Sequence, residues 1–249
     1  MEHLLRATAR AEARHFWFRG FRAFVTPLLR QASRSRPRAR LLDCGCGTGA
    51  NLELLARFGH AYGIDLSAVG LQFGRRAGRL RLARATVTAV PFGAGAFDIV
   101  TSFDVLYSLE PADERAAIAE MFRVLEPGGF AVINVAALEM LRGDHSILSR
   151  EVRRYSREEL RARLTGAGFE VVRITYTNAT LFLPMAIARA LQRRRGLKAE
   201  GEAVQEITVP PRPINGLLSM AMAAESLWLR WFDEPFGSSL LCLARKPRV

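Results

Sequence analysis

The residues from Asp43 to Gly49 have the types and spacing of a loop that binds a nucleotide-like cofactor. They read Asp-Cys-Gly-Cys-Gly-Thr-Gly and directly follow an apolar pair, as at the end of a strand. Glycine has no Cβ, so the backbone can turn sharply there and approach a ligand closely. Asp65 comes 20 residues after Gly45, where a second strand would end. Because such an acid accepts hydrogen bonds from ribose hydroxyls in α/β nucleotide-binding units, the two features predict an adenosine-bearing cofactor.

Two cofactor classes match this loop. Residues 45–50 have the G-x-G-x-x-A form of the dinucleotide fingerprint, so a Rossmann NAD-dependent oxidoreductase is one interpretation. However, Asp43 is a poor neighbour for a doubly negative pyrophosphate, and it suits a cofactor that carries an ammonium and a sulfonium. Hydride-transfer enzymes of the tyrosine–lysine type also need a lysine four residues after a tyrosine, which neither Lys198 nor Lys246 satisfies. The sequence therefore favours a sulfonium cofactor.

The string D-x-G-x-G-x-G at residues 43–49 resembles the first motif of the class I S-adenosylmethionine-dependent methyltransferases. Four further pieces follow in the family's order: Gly63-Ile-Asp-Leu66, Val90-Pro-Phe92, Phe97-Asp-Ile-Val100 and Leu125-Glu-Pro-Gly-Gly129. The resemblance covers about residues 38–178 and 238–246. It implies a Rossmann-like α/β fold whose seven-stranded sheet is mostly parallel, with an antiparallel last strand. It also implies S-adenosylmethionine as cofactor and methyl transfer by in-line displacement to a small-molecule, lipid or glycan acceptor.

The resemblance also implies which residues contact the cofactor. Asp43 would anchor its amino-acid end, Asp65 would bind the ribose hydroxyls, and Leu66 would pack on the adenine. The implied set is Asp43, Gly45, Cys46, Gly47, Gly49, Asp65, Leu66, Thr86, Val87, Phe103 and Arg19.

Two positions depart from the family's pattern. Thr86, followed by Val87, stands where members often carry an acid that accepts from the adenine amino group. The segment 102–105 should face the sulfonium, with Phe103 nearby, but the string that continues to Ser108 lacks the histidine that members often have four residues after Asp104. This second departure removes one candidate base.

A base is needed only if the methyl acceptor must lose a proton. His145, shortly after the predicted fifth strand, is our candidate for that role because histidine titrates near neutrality; a solvent-facing loop histidine is the alternative. The residues predicted to face the substrate are Trp17, Tyr107, Tyr155 and Asn178.

An N-terminal segment, residues 1–36, has helical periodicity and carries the aromatic cluster His-Phe-Trp-Phe-Arg-Gly-Phe at 15–21. One interpretation is that Phe16, Trp17 and Phe21 pack a helix onto the sheet. The other is a flap over the cofactor, with Arg19 as a bidentate partner of the methionyl carboxylate.

Strand and helix patterns alternate along the rest of the chain, which predicts a parallel, doubly wound sheet. Predicted strands span 40–44, 60–65, 81–87, 97–103, 130–137, 169–177 and 238–246, and predicted helices span about 49–58, 67–78 and 113–125. Residues 127–129 predict a tight turn before the fifth strand. Ser156 and Glu159 form a capping box that predicts the start of another helix.

About sixty residues separate the last two predicted strands, more than a minimal fold of this family needs. We expect residues 179–236 to form a helical cap within a single domain, 1–249. Packing of these helices on the core and contact with a membrane surface are both open. A methyltransferase-like binding protein, or a membrane-surface partner without catalysis, is the non-enzymatic alternative.

The formal charge is +12, yet only two of the 36 basic residues are lysines and the cations are spread along the chain. The N/D-P-P-Y/F motif of base-methylating enzymes is absent after the predicted fourth strand, so we do not expect a nucleic-acid substrate. Three cysteines make neither a disulfide framework nor a convincing metal site. No signal peptide or membrane-spanning stretch is evident, which favours the cytoplasm, with peripheral membrane contact left open.

Overall fold

Seven strands form one sheet in the computed structural model, which describes residues 8–196 and 208–248. The strands are β1 Ala39–Cys44, β2 Gly59–Asp65, β3 Leu82–Arg84, β4 Phe97–Phe103, β5 Leu125–Ala136, β6 Glu170–Thr177 and β7 Ser239–Arg245. Their order across the sheet is β3-β2-β1-β4-β5-β7-β6. β7 runs antiparallel to both of its neighbours, whereas the other pairs are parallel. The predicted Rossmann-like sheet with an antiparallel last strand is confirmed.

Helices precede β1 and connect the strands. They are α1 Phe16–Ser33, α2 Leu52–Leu55, α3 Ala68–Arg76, α4 Pro111–Val124, α5 Asp144–Leu148, α6 Arg157–Gly166, α7 Phe182–Arg195 and α8 Arg212–Trp228. Helix α6 begins at the predicted capping box, because Ser156 Oγ accepts from the Glu159 amide at 3.1 Å and the Glu159 carboxylate accepts from the Ser156 amide at 2.8 Å.

The core lies on both faces of the sheet. Leu41 and Leu42 of β1 are fully buried. Leu41 belongs to a cluster that includes Leu29 of α1, whereas Leu42 belongs to a cluster that includes Met121 of α4. Neighbouring strand residues point to opposite faces, so an uninterrupted apolar strand requires helices on both sides.

Three predicted boundaries differ in the structure. β3 ends at Arg84 rather than at residue 87, because the Thr86 hydroxyl accepts from the Thr88 amide at 3.3 Å and turns the chain locally. Helix α2 has only four residues, Leu52–Leu55, instead of spanning 49–58. The turn predicted at 127–129 lies inside β5, where Gly128 has φ +80° and its amide donates to the carbonyl of Lys246 at 2.8 Å.

Helices α7 and α8 come from the segment predicted as a cap, of which residues 197–207 lie outside the described part of the chain, as do residues 1–7 of the predicted flap. Helix α8 packs on α1, where Gly20 lies against Met222. The Asn215 side chain accepts from the Phe16 amide at 2.9 Å and donates to the Arg14 carbonyl at 3.0 Å. Within residues 8–196 and 208–248, no helix combines the length and apolarity that crossing a bilayer requires.

Candidate active site

The loop that follows β1 holds its three glycines in the left-handed backbone region. The φ angles of Gly45, Gly47 and Gly49 are +82°, +57° and +74°, values at which a residue with a Cβ is strained. The amides of Gly45 and Cys46 both donate to the carbonyl of Ile64, at 2.8 and 2.9 Å. The loop is therefore anchored to β2 in a conformation that glycine adopts readily and other residues do not.

Asp65, at the end of β2, organises the backbone around it. One carboxylate oxygen accepts from the Gly47 amide at 2.8 Å, and the other accepts from the Ser67 amide at 2.8 Å. Ser67 in turn caps α3, since its hydroxyl accepts from the Gly70 amide at 3.2 Å. Each carboxylate oxygen has a second lone pair, so Asp65 can hold the loop and still accept from a ligand.

A buried ionic cluster ties the N-terminal segment to the glycine loop. The Thr48 hydroxyl donates to Glu12 at 2.6 Å, and Arg79 donates to Glu12 at 3.3 Å and to the Thr48 carbonyl at 3.1 Å. Sequence reasoning missed this cluster, because its members are far apart along the chain and share no motif. It holds the segment before α1 against the loop.

A cavity of about 1010 Å³ opens at the carboxyl ends of the parallel strands, the edge where open α/β sheets bind ligands. Its walls come from the glycine loop, the ends of the strands, α1 and α7. The predicted site residues that line it are Trp17, Gly45, Cys46, Gly47, Asp65, Leu66, Thr86, Val87, Phe103, Tyr107 and His145. This volume is at the upper end for small-molecule sites, so a cofactor and an acceptor can share it.

Helix α1 contributes to both the cavity and the core. Its first turns present Phe16, Trp17, Phe18 and Phe21 to the cavity, and Phe21 meets Phe103 edge-to-face with ring centroids 5.0 Å apart. Its later turns are buried in the core. The two interpretations of the aromatic segment therefore apply to different parts of one helix.

Two residues of the predicted loop do not line the cavity. Asp43 is 1% exposed and accepts from the Thr101 hydroxyl at 2.6 Å, so its carboxyl does not meet a ligand in this arrangement. Burial raises the pKa of Asp43 to about 7, although the Thr101 hydrogen bond opposes the shift. Gly49 packs against Leu82, since a Cβ there would come within 2.9 Å of that side chain. Both residues shape the loop from beneath.

The arginine of α1 that reaches the cavity is not the one that was predicted. Arg19 is exposed and is not among the lining residues, whereas Arg22 is. Arg22 follows Phe18 by one helical turn, so the two side chains share a face. Phe16, three residues before Arg19, lines the cavity too, so the spacing from the aromatic residues does not distinguish the two arginines.

Two predicted substrate contacts are also not lining residues. The Tyr155 hydroxyl donates to the buried carboxylate of Glu114 at 2.7 Å. Burial raises the pKa of Tyr155 above its usual value. Arg153 and Arg163 also contact Glu114, so Tyr155 belongs to a buried ionic network between α4 and α6. Asn178 is 3% exposed and has φ +65° at the end of β6.

Near the predicted adenine end, Leu66 is 64% exposed and lines the cavity. The Thr86 hydroxyl lies 2.8 Å from that of Thr88, so one of its hydrogen-bonding positions is already used. Burial raises the pKa values of Cys44 and Cys46, which keeps both thiols protonated.

Acidic and basic groups also line the cavity. His145 in α5 and Tyr107 in the 3-10 turn Leu106–Ser108 are among them. Glu151 and Arg154 also line it and form an ion pair, with Arg154 Nε 2.8 Å from the carboxylate. Asp104, directly after β4, lines the cavity too. Sequence reasoning put Asp104 near the sulfonium but did not identify it as an acid–base group.

Residues 42–133 match the model of a family described as a methyltransferase domain. The demethylmenaquinone methyltransferase of Clavibacter sepedonicus is 41% identical over 100 residues, which are 38% of this chain and 40% of that protein. The ubiquinone/menaquinone biosynthesis C-methyltransferase UbiE of Shewanella piezotolerans is 32% identical over 141 residues, 51% of this chain and 52% of that protein. The chain thus spans about half or less of the length of these curated relatives.

A solved structure of a SAM-dependent methyltransferase from Thermotoga maritima shares the fold with a TM-score of 0.56. The alignment covers 98% of this chain and 99% of that chain at 17% sequence identity.

Proposed function

We propose that this chain, whose residues 42–133 match a methyltransferase-domain family, is a class I S-adenosylmethionine-dependent methyltransferase that transfers a methyl group to a small-molecule acceptor. The observation that carries the proposal is that Gly45, Gly47 and Asp65 line one cavity at the ligand-binding edge of the sheet. The methyltransferase relatives support it. When bound, the cofactor supplies a sulfonium carbon already activated for displacement.

The loop and strand ends suit this cofactor. A Cβ at Gly45 would come within 2.3 Å of Val105, so glycine keeps the loop close to β4 without a clash. The loop backbone at Gly45 and Gly47 would border the methionyl and ribose groups, and Asp65 would accept from the ribose hydroxyls. Leu66 and Val87 would flank the adenine.

The protein's task in such a reaction is to align the nucleophile with the methyl carbon and to exclude water. The aromatic side chains of α1 and the apolar side chains of α7 line the cavity together with the ends of the strands. They would form the dry wall against which the acceptor is held.

The lining suggests an acceptor with a large apolar part. Helix α7 and the residue before it contribute Leu181, Pro184, Met185 and Ala188 to the cavity. Two relatives are named for the quinones whose synthesis they serve. We therefore infer an apolar acceptor, free or lipid-linked, rather than a nucleic acid.

Calorimetry and a labelled-methyl assay test this function. We expect S-adenosylhomocysteine to bind at micromolar concentration without added metal, and NAD not to bind. We expect label to enter reduced demethylmenaquinone or a component of a total lipid extract, and not tRNA. NAD binding, or transfer to tRNA alone, would contradict the proposal.

We also propose that the protein acts in the cytoplasm at the surface of an anionic membrane. Its three cysteines are free thiols, in keeping with a reducing compartment. We infer that the exposed apolar side chains of α7 and α8, with the neighbouring Trp231, together form an outer apolar face. Its members are Leu183, Ile187 and Leu191 of α7, Ile214, Leu217, Met220 and Leu227 of α8, and Trp231 just after α8, and their exposed fractions run from 45% to 81%.

The chemistry of the outer apolar face matches an interface of lipid headgroups and acyl chains. Helix α7 is apolar towards the cavity as well, and a helix with apolar side chains on opposite faces needs cover on both. The exposed Arg194 and Arg195 end α7, and exposed arginines attract anionic lipid. Flotation with phosphatidylglycerol-containing vesicles should recover the protein at low salt and less of it at high salt. A stable dimer that does not float would overturn this assignment.

A further inference from the structure

Asp104 is held in an unusual backbone conformation at the cavity wall. It is the first residue after β4, it lines the cavity, and its φ is +60°. A non-glycine residue in this region is strained, and such strain is concentrated at functional sites. Its amide donates to the carbonyl of Asn134 at 3.0 Å, which fixes the direction in which the side chain leaves the backbone.

Asn134 also orients the carboxyl group. Its side-chain amide donates to Asp104 Oδ1 at 2.8 Å. Asn134 is 3% exposed and lies in β5 opposite Phe103, so this donor is part of the rigid sheet. In the described part of the chain, Asn134 is the only side chain that donates a hydrogen bond to this carboxyl. The second oxygen, Oδ2, is left to accept from the cavity.

Asp104 is exposed on its cavity side. Desolvation by the protein packed around the rest of the carboxyl is the main cause that raises its pKa, to about 7. The Asn134 hydrogen bond opposes the shift, the Glu151 carboxylate adds to it, and Arg154 opposes it. A carboxylate with a pKa near the working pH is a more effective proton acceptor than one with an ordinary pKa.

The other candidate groups are less suited to the role. Burial and the charge of Asp104 raise the pKa of Tyr107 well above its usual range, so its phenol stays protonated and cannot serve as the proton acceptor. Glu151 is 9% exposed and is bound by Arg154. His145 lines the same cavity but belongs to the five-residue helix α5 rather than to the sheet.

We propose that Asp104 is the residue that accepts the proton lost by the methyl acceptor. The inference rests on the proposed function. An oxygen, nitrogen or carbon nucleophile bearing a hydrogen attacks the sulfonium methyl carbon, and the carbon–sulfur bond breaks with its electron pair retained by sulfur. The proton of the nucleophile passes to Asp104 Oδ2 and is later released to water, so the carboxylate is regenerated.

The test compares Asp104→Asn with wild type and with Asp113→Asn, a control on an exposed acid at the start of α4. The amide introduced by Asp104→Asn would keep the shape of the side chain and an acceptor for Asn134. With reduced demethylmenaquinone or a total lipid extract as the probe, turnover should fall about 100-fold or more in this variant. S-adenosylhomocysteine affinity should change less than about threefold. The wild-type rate should rise with pH through about 7, and this dependence should be absent in Asp104→Asn.

Infrared titration of the carboxyl groups gives a readout that needs no acceptor. A carboxyl band that titrates near neutrality in wild type and Asp113→Asn, and is lost in Asp104→Asn, would support the inference. Unchanged turnover in Asp104→Asn, or loss of the pH dependence in His145→Gln alone, would overturn it and leave the proposed function intact. Failure of the wild-type protein to bind S-adenosylhomocysteine would instead overturn the proposed function.

Discussion

At the residue scale, Asp65 has a structural and a ligand-facing role. Its carboxylate accepts from two backbone amides, and the residue also lines the cavity. Replacing it with Ala removes an acceptor for the ribose and frees the amides of Gly47 and Ser67. We expect Asp65→Ala to weaken S-adenosylhomocysteine binding by about 1–3 kcal/mol. Calorimetry, with Asp113→Asn as the matched loss of an exposed carboxylate, measures the effect. Equal affinities for the two variants would argue against a ligand-facing role.

Asp43 gives a pH-dependent prediction at the same scale. Its pKa rises from 3.8 to about 7 in the fold, so between these values the unfolded chain has lost a proton that the folded protein keeps. Its contribution to stability therefore falls as pH rises through this window and is constant above it. Asp43→Asn keeps an acceptor for the Thr101 hydroxyl and removes this loss of stability with rising pH.

Urea unfolding at about pH 4.5 and about pH 8 checks this. We expect the decline in unfolding free energy between them to be smaller by roughly 2–4 kcal/mol in Asp43→Asn than in wild type. A decline remains because Asp104 titrates in the same window. An unchanged decline would mean that Asp43 is ionised throughout.

At the element scale, Glu225 of α8 binds the residues that precede α7. Its buried carboxylate accepts from the amides of Ala179 and Thr180, at 2.9 and 3.0 Å, and from the Thr180 hydroxyl at 2.6 Å. Glu225→Ala leaves these donors without a protein acceptor, so we expect the unfolding free energy to fall by about 2–4 kcal/mol. Glu139→Ala, which removes an exposed partner of Arg142, should cost less than about 1 kcal/mol. Thermal or urea unfolding of both variants makes the comparison.

Local patterns predicted the elements better than the contacts between them. The apolar strand before Asp43 and the capping box at Ser156 are encoded within a few residues, and both were located correctly. The Glu12–Thr48 hydrogen bond joins distant parts of the chain, so no local sequence pattern predicts it. The presence of Arg22 rather than Arg19 at the cavity depends on the rotation of α1 against the sheet, which aromatic composition does not specify.

At the scale of the whole molecule, the outer apolar face should control association with membranes. Trp231 is 81% exposed and Leu217 is 63% exposed, so replacing either with Ser removes little from the core. We expect each change to weaken binding to anionic vesicles by roughly tenfold and to alter the unfolding free energy by less than about 0.5 kcal/mol. Leu80→Ser, at an 85% exposed leucine outside this face, is the matched control. Equal loss in all three variants would show that general hydrophobicity, rather than this face, drives binding.

The position of β7 has a consequence for how the protein is made. This strand leaves the ribosome after the other six, yet it is hydrogen-bonded between β5 and β6 rather than at an edge. Until it emerges, β6 has no partner strand, and the cavity wall at Ser238 and Ser239 is absent. Until β7 is made, the nascent chain therefore exposes two unpaired strand borders, which are surfaces prone to mispairing. We expect a chain that stops before β7 to aggregate rather than to form a shortened enzyme.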